Sequence, residues 1–83
     1  MNMKIFAIFD AKAEAYNQPF FLTNEGQATR GFSDAVNDPQ SIMGKHPADF
    51  TLFRIGTYNE ETAEIKSESP TVLGVGVEFQ TPT

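Results

Sequence analysis

Four groupings in this 83-residue chain hold the side-chain types that catalysis and ligand binding use. His46 is followed by Asp49, and an imidazole beside a carboxylate can ligate a metal or pass a proton. His46 is the only histidine and there is no cysteine, so a metal would need further ligands from distant segments. The pair reads instead as a loop histidine bonded to backbone. Ser33 and Asp34 with His46 have the types of a nucleophilic triad, yet Ser33 falls inside a helical pattern with no strained elbow or oxyanion loop around it. Gly74, Val75 and Gly76 look like a fragment of a phosphate-binding loop. Such loops end a strand and open a helix, whereas here the glycines fall within an expected strand near the C-terminus with no helix after it. They fit another element packing on a bare strand face. Glu60 and Glu61 flank a turn and read as solvent-facing. No catalytic residue, metal or cofactor is assigned, and a non-enzymatic protein is expected.

Aromatic rings interleaved with single cations suit single-stranded nucleic acid, where stacking contributes ~1–3 kcal/mol per base and tolerates any sequence. Tyr16, Phe20 and Phe21 lie near Lys12, and Tyr58 follows Arg54. A core drawn from a 40% hydrophobic chain needs most of the eight phenylalanines, which leaves Tyr16 and Tyr58, in loop and turn, as the stacking candidates. The charge balance runs the other way. Six Lys and Arg against eleven Asp and Glu give a net charge of -5 and a pI near 4.6, the reverse of a usual polyanion binder. Lys4, Lys12, Arg30, Lys45, Arg54 and Lys66 are scattered, so the fold would have to assemble any basic patch. Glu60, Glu61, Glu64 and Glu68 gather in the second half, as a solvated edge or as a contact surface for a basic partner.

The elements that would position these residues belong to one domain, residues 1–83, of the α+β class. Residues 3–9 (MKIFAIF) are apolar on both faces, Ile5, Ala7 and Phe9 on one and Phe6 and Ile8 on the other, and read as a doubly covered central strand. Residues 10–18 form a long loop with about one helical turn, and Phe20 to Leu22 a second short strand. Asn24 caps a helix, with Glu25 in the first turn and Gln27 completing a capping box. Ala28, Phe32, Ala35 and Val36 make its buried stripe, and Asn37, Asp38 and Pro39 stop it. Gly26 and Gly31 each cost about 1 kcal/mol against Ala, which close approach of helix to sheet would offset. Phe50 to Gly56 is a third strand, Thr57 to Thr62 a polar turn, and Ala63 to Lys66 a fourth strand with Ala63 and Ile65 inward. Ser67 to Pro70 breaks the chain before a last strand, Thr71 to Phe79. The order β-β-α-β-β-β implies a small, mainly antiparallel sheet of about five strands with one main helix packed on one face. No apolar run approaches the ~18 residues of a membrane span, the start lacks a secretory signal, and pairing into a homodimer would add burial to so small a core.

Several segments together resemble the small nonstructural protein of gokushovirus-type microviruses, icosahedral phages with single-stranded DNA genomes. They are residues 6–16 (FAIFDAKAEAY), 19–21 (PFF), 26–39 (GQATRGFSDAVNDP), 46–56 (HPADFTLFRIG) and 73–76 (LGVG), in order over nearly the whole chain. The resemblance implies a protein of the host-cell cytoplasm, absent from the mature virion, that acts in viral DNA replication or the handling of single-stranded DNA. On that reading Lys12, Arg30, Lys45 and Arg54 meet phosphates while Tyr16 and Tyr58 stack on bases. Binding is weak, through a local cationic and aromatic face, and falls steeply with salt. Its partners are single-stranded DNA and viral or host replication proteins. The alternative is an acidic adaptor, working through Glu60 to Glu68 on the replication initiator, the assembling capsid or a host factor.

Overall fold

The most apolar segment of the chain becomes its central strand. In the computed structural model, which describes residues 2–81, β1 (Asn2–Asp10) is lined on one edge along its whole length by β4 (Phe50–Asn59). Its other edge carries two short strands end to end, β2 (Ala15–Tyr16) against Phe9 and Asp10, and β3 (Phe20–Leu22) against Lys4 to Phe6. The Asn17 N–H donates to the Ile8 carbonyl at 2.7 Å and carries the ladder across the gap. β5 (Ile65–Val75) pairs with β4 and closes the order β2-β1-β4-β5, antiparallel throughout.

α1 (Glu25–Val36) connects β3 to β4 and lies on one face of the sheet. Its start follows local chemistry: Asn24 Oδ1 accepts the Gln27 N–H at 2.9 Å. The expected box is displaced by one residue, because the Gln27 side chain accepts from the N–H and hydroxyl of Thr23 rather than from Asn24. Ala28, Phe32 and Val36 are buried against Phe6, Ile8, Phe50 and Leu52, with Phe20, Leu22, Met43, Leu73 and Phe79 around them. At the far end Asn37 binds the C-terminal segment, donating to the Phe79 carbonyl at 2.9 Å and accepting the Thr81 N–H at 2.8 Å. Between α1 and β4 the chain makes α2 (Ile42–Lys45) and a 3-10 turn (Pro47–Asp49).

The α+β class, the five antiparallel strands and the single main helix are as expected. Their distribution differs, with three strands before α1 and two after. Ala15 and Tyr16 form a strand too short to show periodicity, brought back by a turn in which Asp10 Oδ1 accepts the N–H groups of Lys12 and Ala13. Thr57 to Asn59 continue β4, and the turn is residues 60–64, closed by Asn59 N–H donating to the Glu64 carbonyl at 2.9 Å. Ala63 lies in that turn, and Ile65 is 61% exposed because it stands opposite Tyr58 on the face of the sheet away from α1. Ser67 to Pro70 do not break the chain. They stay in β5 beside a register shift, on an edge strand, where a proline is tolerated.

The last expected strand ends at Val75, and Gly76 to Phe79 wind into one helical turn, α3, whose Glu78 carboxylate accepts the Val75 N–H at 2.8 Å. The two glycines do receive another element. A side chain on Gly74 would meet the Phe79 ring, and one on Gly76 the Pro47 carbonyl. Gly26 and Gly31, by contrast, do not touch the sheet: a Cβ on Gly26 would meet only the Asn24 side chain, and one on Gly31 nothing within 4 Å.

Candidate nucleic-acid interface

With α1 on one face of the sheet, the alternation of β1 sends Phe6 and Ile8 toward the helix and Ile5, Ala7 and Phe9 away from it. Cross-strand partners share a face, so the register assigns the side chains of the uncovered one. Tyr16 stands opposite Phe9, Phe21 opposite Ile5, Phe53 opposite Ala7, and Tyr58 opposite Met3. On the β5 side, Val72 stands opposite Phe53 and Ile65 opposite Tyr58. A β-bulge makes this set possible. Phe53 and Tyr58 are five residues apart and would face opposite ways in a regular strand, but the register shift between Arg54 and Gly56 inserts one residue and turns Tyr58 to the side of Phe53.

The rings meet edge to face in two groups. Tyr16 packs on Phe9 at 4.9 Å and on Phe53 at 5.5 Å, and Phe21 packs on Tyr58 at 5.5 Å. Ile5 and Ala7 are buried between the groups without a helix, so the aromatic side chains are themselves the cover of this face. The doubly covered strand is therefore covered by α1 on one side only. Tyr16, Phe21, Ile65 and Val72 remain 46%, 40%, 61% and 57% exposed. None of the residues that the register places here is Lys, Arg, Asp or Glu.

The sequence candidates divide between this face and its surroundings. Tyr16 and Tyr58 both stand on it. Lys12 sits in the exposed turn between β1 and β2, beside the Tyr16 end. Lys45 ends α2 near the same end of the sheet, where the Ala11 N–H donates to the Asp49 carbonyl at 2.8 Å. Arg30 is exposed on α1. Arg54 stands opposite Phe6 on the helix side, with Nη1 2.6 Å from Glu25 and Nε 3.3 Å from Glu68. Arg30 and Arg54 thus lie on the α1 side of the sheet, and Lys12 and Lys45 near its Tyr16 end. Phe9, Phe21 and Phe53 escape a reading of the sequence that consigns phenylalanine to the core. The signal that finds them is the two-faced apolarity of β1 beside a single helix.

The other groupings take structural roles. The His46 carbonyl accepts the Asp49 N–H at 3.0 Å and closes the 3-10 turn. Ser33 lies inside α1, its carbonyl accepting from Asn37. Glu60, Glu61 and Glu64 belong to the β4–β5 turn, whereas Glu68 reaches Arg54. Among the described residues no three His, Asp or Glu gather as a metal site, and no helix is long and apolar enough to cross a membrane.

Comparison with known proteins gives one finding. The family model described as Phage ORF5 protein matches residues 3–79, which takes in all the strands and helices but for the first residue of β1. Neither the curated proteins nor the solved structures contain a match. The chain belongs to the Phage ORF5 protein family.

Proposed function

We propose that this member of the Phage ORF5 protein family is a non-enzymatic, nonstructural protein of a gokushovirus-type microvirus that acts in replication of the viral single-stranded DNA. On this reading it works in the host-cell cytoplasm, outside the mature virion, and holds single-stranded DNA weakly by stacking bases on the uncovered sheet face. One observation carries the proposal: an aromatic face with Tyr16 and Phe21 exposed and Phe9, Phe53 and Tyr58 beside them, on a protein otherwise rich in acid. Every base has a π-face, so such a surface accepts any sequence, as a replication accessory must. Lys12 at the rim supplies the phosphate contact.

The test is fluorescence anisotropy of a labelled oligonucleotide at low ionic strength, comparing the wild type with Tyr16→Ala and Phe53→Ala. Each substitution should weaken binding by roughly fivefold to a hundredfold, the equivalent of ~1–3 kcal/mol per stacked base, while circular dichroism stays unchanged. Wild-type affinity in both variants, or no binding by the wild type, would overturn the assignment.

A second reading rests on the β4–β5 hairpin, whose tip carries the exposed Glu60, Glu61 and Glu64. An acidic, exposed hairpin tip suits an adaptor for a basic surface on the replication initiator, the assembling capsid or a host factor. Reversing Glu60 and Glu64 to Lys should then abolish recovery of that partner from infected cells and leave oligonucleotide binding intact. Equal recovery by both proteins refutes the adaptor.

A further inference from the structure

α1 covers the sheet incompletely. On the flank that faces β3 and α2 it leaves an apolar groove of about 450 Å³, lined by Phe20, Leu22, Ala28, Phe32, Ala35 and Met43 among others. Protein interiors are close-packed, and an open apolar volume of this size is large for so short a chain. Ile42 stands next to it, 63% exposed.

Gly31 lies on the wall of the groove. A glycine inside an exposed helix costs about 1 kcal/mol against Ala, and here nothing in the chain's own packing offsets that cost, since a Cβ would have open space around it. The positions beside it carry opposite charges. With about 100° per residue, Gln27, Gly31, Asp34 and Ala35 share one arc of α1, and Arg30 lies just beyond Asp34. Arg30 and Asp34 are both exposed, and neither has an ion-pair partner among the described residues.

We propose that a second copy of this chain docks on this flank, the two α1 helices crossing antiparallel about a twofold axis near Gly31. Such an axis makes the interface self-complementary. It sets Arg30 of each copy beside the partner's Asp34, two reciprocal ion pairs, and lets the helix backbones approach closely at the two glycines. The groove, α2 and Ile42 then meet their counterparts on the partner. α1 is about 18 Å long, and stable pairs bury roughly 800 Å² per partner, so the contact must take in the groove and α2 as well as the helix. The charge pattern favours a second copy over an unrelated apolar segment, because Arg30 and Asp34 complement each other across a twofold axis. The uncovered aromatic face of each copy stays free on the far side, so the dimer stands whether or not that face binds DNA.

Sedimentation equilibrium of the full chain tests the inference. The wild type should dimerise with a dissociation constant of about 50 µM or tighter. Arg30→Asp places like charges together and should weaken the dimer at least roughly tenfold, while Arg30→Asp with Asp34→Arg restores it. Gly31→Leu has room in the isolated chain, so it should keep the circular dichroism spectrum and abolish the dimer by holding the helices apart. A wild type that is monomeric at about 100 µM overturns the proposal. So does a dimer indifferent to both Gly31→Leu and Arg30→Asp, which would pair through another surface.

Discussion

Arg54 reaches from β4 toward the first turn of α1, placing Nη1 2.6 Å from Glu25 and Nε within 3.3 Å of Glu68 on β5. One cation thus joins the helix to two strands. About a third of each side chain is exposed, so each pair is screened and contributes at most about 1 kcal/mol. The position matters beyond that energy, because Arg54 stands on the helix side of the sheet, opposite Phe6, with one carboxylate beside Nη1 and another beside Nε. Arg54→Met keeps the aliphatic stem and removes both pairs. Stability should fall by about 1 kcal/mol, which in a domain of this size lowers Tm by roughly 4–8 °C, and high salt should narrow the gap between variant and wild type. Single-stranded DNA affinity measured below the transition should stay unchanged. A tenfold loss of affinity in a folded Arg54→Met protein would instead put this residue on phosphate.

At the scale of elements, α1 is legible because its evidence is local. Asn24 caps it, Ala28, Phe32 and Val36 form one stripe, and Pro39 follows its end, all within a window that tertiary contacts need not decide. β1 is legible as a central strand for the same reason. The strands after α1 are not, because period-2 reasoning assumes a strand that never slips. The bulge at Ile55 reverses the parity of β4 partway along, and the shifts near residues 68–70 and 73 do the same to β5. Ser67 to Pro70 therefore look like a break although an edge strand runs through them, and Ile65 reads as inward although it is exposed. The candidate site inherits this division. Tyr16 and Tyr58 look like loop and turn residues in the sequence, and both are strand residues on the uncovered face. Phe9, Phe21 and Phe53 stay hidden because a strand's alternation says which residues share a face but not which face the helix takes.

Across the whole molecule, apolar aromatic surface and positive charge lie on different sides. Lys4 and Lys66 both stand opposite Thr57, on the side of the sheet that α1 takes, Arg54 is paired there, Arg30 lies on α1, Lys45 ends α2, and Lys12, in the β1–β2 turn, is the cation next to the aromatic face among the described residues. The net charge of -5 repels a polyanion at long range. Any affinity for single strands must then come from stacking at close range rather than from phosphate neutralisation. That separation sets the salt dependence. Each phosphate neutralised contributes a slope of about −0.7 to log K against log salt for single strands. One lysine at the rim therefore gives a slope near −1 or shallower, not the steep fall that four converging cations would produce. Titrating a ~20-nucleotide strand between about 50 and 200 mM salt should reduce affinity by less than about fivefold. Lys12→Glu should flatten the dependence further, whereas Lys45→Glu should leave it in place. A drop of about thirtyfold or more over that range would mean that the cations act together on the DNA, through a surface other than the uncovered aromatic face.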